Sequence, residues 1–66
     1  MEVQVNGEKR AFENALSVAQ LLQCMGLEGK RVAVERNGEI VPRSQHGATV
    51  LAAGDRLEIV VAVGGG

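Results

Sequence analysis

Ser17 to Gly26 is the one stretch of this 66-residue chain written with the period of a helix, and it is short. Val18, Leu21, Leu22 and Met25 recur at i, i+3, i+4 and i+7, an apolar stripe of about two turns. Ser17 and Gln20 have the S-x-x-Q spacing of a capping box, in which each side chain satisfies an orphan backbone N–H at the helix start. Gly26 follows the stripe where a glycine closes a helix in the left-handed conformation. Such a helix is not stable alone in water, so its stripe must be covered by something else. The remainder of the chain reads as strands, and the cover is therefore a sheet.

Met1 to Val5 alternates apolar and polar residues, the pattern of a strand with one buried face. Asn6-Gly7 is a strong hairpin signal, because a type I′ turn needs positive φ at both central residues. Lys9 to Glu13 reads as the return strand, with Phe12 turned to the core. After the helix, Arg31 to Glu35 forms a third strand, and Asn37-Gly38 turns the chain into Glu39, Ile40 and Val41. Pro42 ends that strand, having no N–H for a ladder. Arg43 to Gly47 is a polar loop with room for one helical turn, and Thr49 to Leu51 a short strand. A turn at Ala53-Gly54-Asp55 leads into the last and longest strand, Leu57 to Val63.

Hairpin, helix, short strands and a long terminal strand describe an α+β fold, not the βαβα alternation of a doubly wound sheet. The expected architecture is a β-grasp: a mixed sheet of four to five strands with one helix packed across it. The terminal strand lies centrally, beside the first. An antiparallel roll with one helix is the alternative. Residues 1–63 make the domain, and residues 64–66 a flexible glycine tail.

That tail is the feature with chemical content. Leu57, Ile59, Val61 and Val63 alternate with Glu58, Val60 and Ala62, and three glycines follow with no polar linker between. Gly64, Gly65 and Gly66 have no Cβ and pass where no side chain fits. The pattern suggests an anchored strand presenting a tether with a carboxylate at Gly66, although glycine-rich ends also arise from simple fraying.

Other classes find little support. Net charge is −1, so there is no basic footprint for nucleic acid or an anionic membrane. No apolar run approaches the roughly 18 residues of a membrane span, and MEVQVNGEK lacks the apolar centre of a secretion signal. The single cysteine, Cys24, excludes an internal disulfide, which fits a cytoplasmic protein. Beside the apolar stripe, Cys24 reads as a small, partly buried hydrophobe rather than a nucleophile. His46 has no companion ligand, so no metal site is expected. Neither a G-x-G-x-x-G nor a Walker pattern occurs, and no acid–base pair stands out; the domain is not expected to be an enzyme by itself.

The stretches VAVERNGEIVP (32–42), GDRLEIV (54–60) and the terminal VGGG together resemble the thiamine-biosynthesis sulfur carrier proteins, over essentially the whole chain. These are ubiquitin-like β-grasp proteins, and the family's essential glycine pair matches Gly65-Gly66. The resemblance implies that an ATP-dependent activating enzyme adenylates the Gly66 carboxylate. Sulfur from a persulfide donor would then displace AMP to leave a thiocarboxylate that thiazole synthase consumes. It implies a monomer when free, with no cofactor of its own; ATP belongs to the activating partner. Gly64 and Gly65 would line a narrow channel in the partner. Val60 and Ala62, opposite the core face of the last strand, are the candidate docking surface. Sister carriers with the same ending, such as the small subunit of molybdopterin synthase (which tends to be longer), remain alternatives. So does a ubiquitin-like modifier or binding module without sulfur chemistry.

Overall fold

The computed structural model describes residues 1–62. Its elements in chain order are β1 (Glu2–Val5), β2 (Glu8–Ala11), α1 (Val18–Cys24), β3 (Val32–Arg36), β4 (Glu39–Val41), a single 3-10 turn (Arg43–Gln45) and β5 (Arg56–Val61). The five strands form one sheet in the order β2-β1-β5-β3-β4. β5 runs parallel to β1 and antiparallel to β3, so the sheet is mixed and the last strand is central, as expected. The alternative, a purely antiparallel roll, is excluded by the parallel β1–β5 pairing.

Both Asn-Gly pairs adopt left-handed backbone at both residues, with φ of 50° and 84° at Asn6-Gly7 and 51° and 86° at Asn37-Gly38. α1 has the full capping box: the Gln20 N–H donates to Ser17 Oγ at 3.1 Å and the Ser17 N–H to Gln20 Oε1 at 2.8 Å. Its other end is closed by Gly26 at φ +72°. There the Gly26 N–H donates to Gln23 O and the Leu27 N–H to Leu22 O, the paired bonds of a Schellman motif. Leu27 is partly buried against the core, the apolar contact that accompanies this cap.

Val18, Leu21 and Leu22 of α1 meet Val3 and Val5 of β1, Val34 of β3, and Leu57 and Ile59 of β5 in one aliphatic core. Three sequence expectations need adjusting. Thr49 to Leu51 is not a ladder strand: it makes one isolated bridge, Val50 to Ser17. Its partner chain turns helical after Ser17, so the pairing cannot extend; instead the Val18 N–H bonds Thr49 O and the Leu51 N–H bonds Leu16 O, clamping the helix entrance. The return strand stops at Ala11, and Phe12 is half-buried beside Met1 rather than central. β5 stops at Val61, which is 37% exposed because it pairs with half-buried Val32 where the apolar layer thins out. Val63 lies outside the described residues. No helix among the described residues is long and apolar enough to cross a membrane.

Candidate functional site

The site of interest is the end of β5 and the sheet face around it. Alternation along β5 buries Leu57 and Ile59 and turns Val60 outward, 64% exposed, with Ala62 exposed beyond it. Val60 lies opposite Ala33 of β3, and the Ala62 N–H donates to Arg31 O at 2.9 Å. Among the described residues that bond is the last one along the chain. The sequence placed Val60 and Ala62 away from the core, and the structure agrees. Gly64, Gly65 and Gly66 lie outside the described residues.

Two asparagines hold β5 from its flanks, and both come from the hairpin turns. The parallel β1–β5 ladder ends at Val5 opposite Leu57, yet β5 continues. Asn6, bent away in the left-handed region, sends its amide across instead. Its Nδ2 donates to Ile59 O at 3.1 Å and its Oδ1 accepts from the Ile59 N–H at 2.7 Å. A side-chain amide has the donor and acceptor of a peptide group, so Asn6 supplies one more rung of sheet. Asn37 closes a mixed rung on the β3 side: its backbone N–H donates to Arg56 O at 2.7 Å and its side-chain Oδ1 accepts from the Arg56 N–H at 2.9 Å.

Asn37 also joins a buried charge. Asp55, 6% exposed, accepts from Asn37 Nδ2 at 3.0 Å, from Arg36 Nε at 2.8 Å and from the Ala52 N–H at 2.8 Å. Burial by itself pushes this carboxyl up. The Ala52, Asn37 and Arg36 hydrogen bonds, with the Arg36 charge, outweigh it and hold the group below the usual carboxylate range. The turn into β5 is thus set by a charge as well as by Gly54, whose φ is +87°.

Composition and spacing did not reveal these roles. The sequence treated Asn6, Asn37 and Asp55 only as turn residues; an Asn heading each of two type I′ turns beside one strand was the available signal. Cys24 is exposed, not partly buried, at the flank of the α1 stripe formed by Val18, Leu21 and Leu22. His46 is buried, its ring Nε2 donating to Val41 O at 3.1 Å, so it packs the 3-10 turn onto β4. Among the described residues no group of three His, Cys, Asp or Glu side chains comes together to hold a metal.

Comparison with known proteins places this architecture. The model of the ThiS family matches residues 3–66. A crystal structure of thiamine biosynthesis protein ThiS from Geobacter metallireducens superposes with a TM-score of 0.84 at 33% identity, covering 100% of both chains. Two relatives are named thiazole synthase: one from Paramagnetospirillum magneticum, 46% identical over 66 residues, and one from Magnetococcus marinus, 39% identical over 66 residues. All of this chain aligns with each, but it spans only 20% of their length.

Proposed function

Since the chain belongs to the ThiS family of thiamine-biosynthesis sulfur carriers, we propose that Gly66 is the atom-bearing end that receives and delivers sulfur. The observation that carries this reading is the position of β5. It is the central strand, hydrogen-bonded on both sides and backed by Asn6 and Asn37, and its backbone is held as far as Ala62, directly before residues 63–66 in sequence.

A carboxylate is a poor electrophile. An ATP-dependent adenylating enzyme would attach AMP to the Gly66 carboxylate with release of pyrophosphate. A persulfide sulfur would then attack the acyl carbon and displace AMP, and thiol cleavage of the acyl disulfide would leave the thiocarboxylate. The partner must enclose the tail, because water hydrolyses the mixed anhydride. Ordering each threaded residue costs about 1–2 kcal/mol of backbone entropy. The folded body must therefore contribute affinity, and Val60 and Ala62 are the residues proposed to do so.

The names of the two longer relatives favour thiazole synthase as the sulfur acceptor over the acceptor of a molybdopterin carrier. On this reading the domain is a co-substrate of partner enzymes rather than a catalyst. The exposed thiol of Cys24 suits the reducing cytoplasm where those enzymes would act. The test is intact-protein mass after incubation with ATP, the adenylating enzyme and a persulfide donor. The expected result is the gain for one oxygen replaced by sulfur, located at Gly66. An unchanged mass would sink the carrier reading.

A further inference from the structure

Two of the chain's three asparagines, Asn6 and Asn37, are followed by glycine, and both dipeptides are exposed at turn tips. An Asn-Gly pair can modify itself. The glycine nitrogen, with no Cβ on its own residue to shield it, attacks the asparagine Cγ; ammonia leaves and a cyclic succinimide forms. Water then opens the ring at either carbonyl, giving aspartate or isoaspartate with no other reagent. In the folded domain both side-chain amides are occupied, Asn6 by the Ile59 backbone and Asn37 by Asp55 and the Arg56 N–H. Each must release its partners before the ring closes, so the reaction proceeds from locally opened chain. The two sites differ in how readily they open. Asn6 grips the middle of β5, the central strand. Asn37 heads the β3–β4 hairpin, whose edge strand has only three paired residues, and with Gly38 it lines a cleft completed by Glu35, Arg56 and Glu58.

We propose that Asn37-Gly38 is a self-modification site, and that its deamidation undoes the charged contact that sets the start of β5. Asn37 Nδ2 donates to Asp55 Oδ1 at 3.0 Å. Deamidation exchanges that donor for a carboxylate oxygen with no proton to give, and leaves it facing the carboxylate of Asp55, which is 6% exposed. Two carboxylates so close do not both stay ionised; they part or share a proton. Arg36 reaches Asp55 through Nε, and it offers one positive charge to two negative ones. Isoaspartate does further damage. It routes the backbone through the side chain, adding one methylene to a tight turn whose residues hold φ of 51° and 86°. Both products therefore act back on the fold. Once Asp55 is displaced, its bond from the Ala52 N–H and the Asn37–Arg56 rung open more often, and a covalent change drives the domain irreversibly toward the unfolded state. The same product at position 6 would face the Ile59 carbonyl, without a second buried charge.

The test follows the full chain in warm, mildly alkaline buffer, native and in urea, by intact mass and peptide mapping. The native chain should gain the mass of NH exchanged for O at Asn37, several-fold sooner than at Asn6, with Asn14-Ala15 unchanged as the internal control. Conversion should be about tenfold or more slower than in urea, because the native amide is occupied. Isoaspartate is read by its methylation with protein isoaspartyl methyltransferase. Asn37→Asp supplies the aspartate product directly and should lower Tm by about 10 °C. Adding Asp55→Asn should recover at least half of that loss, since a single carboxylate then accepts from an amide. Should Asn37→Asp fail to fold, folding of the double variant still reads the recovery. An Asn37 that stays intact in the native chain, converts after Asn6, or converts equally fast in urea overturns the site. A Tm for Asn37→Asp within about 2 °C of the parent, or no recovery in the double variant, overturns the part assigned to Asp55.

Discussion

The side-chain amide of Asn6 makes both hydrogen bonds of a sheet rung to the backbone of Ile59, although 53 residues separate them in sequence. A turn residue of the first hairpin thereby fixes the middle of the strand that leads to the tail.

Asn6→Ala removes both bonds and leaves the Ile59 backbone groups part-buried without partners. It also places a Cβ-bearing residue with no amide at φ 50°. The expected loss is about 2–3 kcal/mol, and Asn6→Gly, which tolerates that φ, should lose about 1 kcal/mol less. Urea midpoints measure both. Equal midpoints for parent and Asn6→Gly would show that the amide contributes nothing.

Acid should weaken the domain through Asp55. Its folded pKa is lowered, so its contribution is present above the ordinary aspartate value of about 3.9 and is lost as pH falls through the lower, folded value. Asp55→Asn should lower stability by about 2 kcal/mol at neutral pH, because an amide cannot accept from Arg36, Asn37 and Ala52 as the carboxylate does. The variant should also lose part of the acid dependence below about pH 4. Thermal melts between neutral and acidic pH decide it, and parallel curves for variant and parent would exclude the role.

Val60→Asp and Ala62→Asp should fold like the parent, since both side chains are exposed on the face opposite the core. Each would put a charge where the partner must exclude water, which costs several-fold to a hundredfold in kcat/KM for activation. Parent-like kinetics at subsaturating carrier would move the docking surface elsewhere.

Deleting Gly66, or Gly65 and Gly66, should leave the melting curve nearly unchanged, because no side chain is removed. Thiocarboxylate formation should be abolished. Gly65→Val should be nearly as damaging, since a β-branched residue crowds a channel fitted to glycine and narrows its torsions. Cys24→Ser is the control and should retain sulfur transfer. Sulfur gained by the tail-deleted protein would refute Gly66 as the acceptor.

Much of the site was legible because its signals are local. Alternation along 57–62 alone turns Val60 and Ala62 outward. The roles of Asn6, Asn37 and Asp55 were not legible, because their partners are far along the chain or depend on a sheet order that periodicity does not contain. Cys24 was misjudged for a related reason. A stripe defines which face is buried, but how far the cover extends around the helix depends on what packs against it.

The sequence by itself determined the elements. Two Asn-Gly turns, a capped helix closed by glycine, and an apolar alternation in the last strand follow from backbone sterics and from hydrogen-bonding groups within a few residues of one another. Only the tertiary structure decided that β5 lies parallel to β1, that Thr49 to Leu51 clamps the helix instead of joining the sheet, and that Glu35 meets Glu58 across the outer face. Those outcomes depend on register between distant segments. Register is set when the helix stripe and the inward faces of β1, β3 and β5 close one core together, a constraint no single stretch of the chain contains.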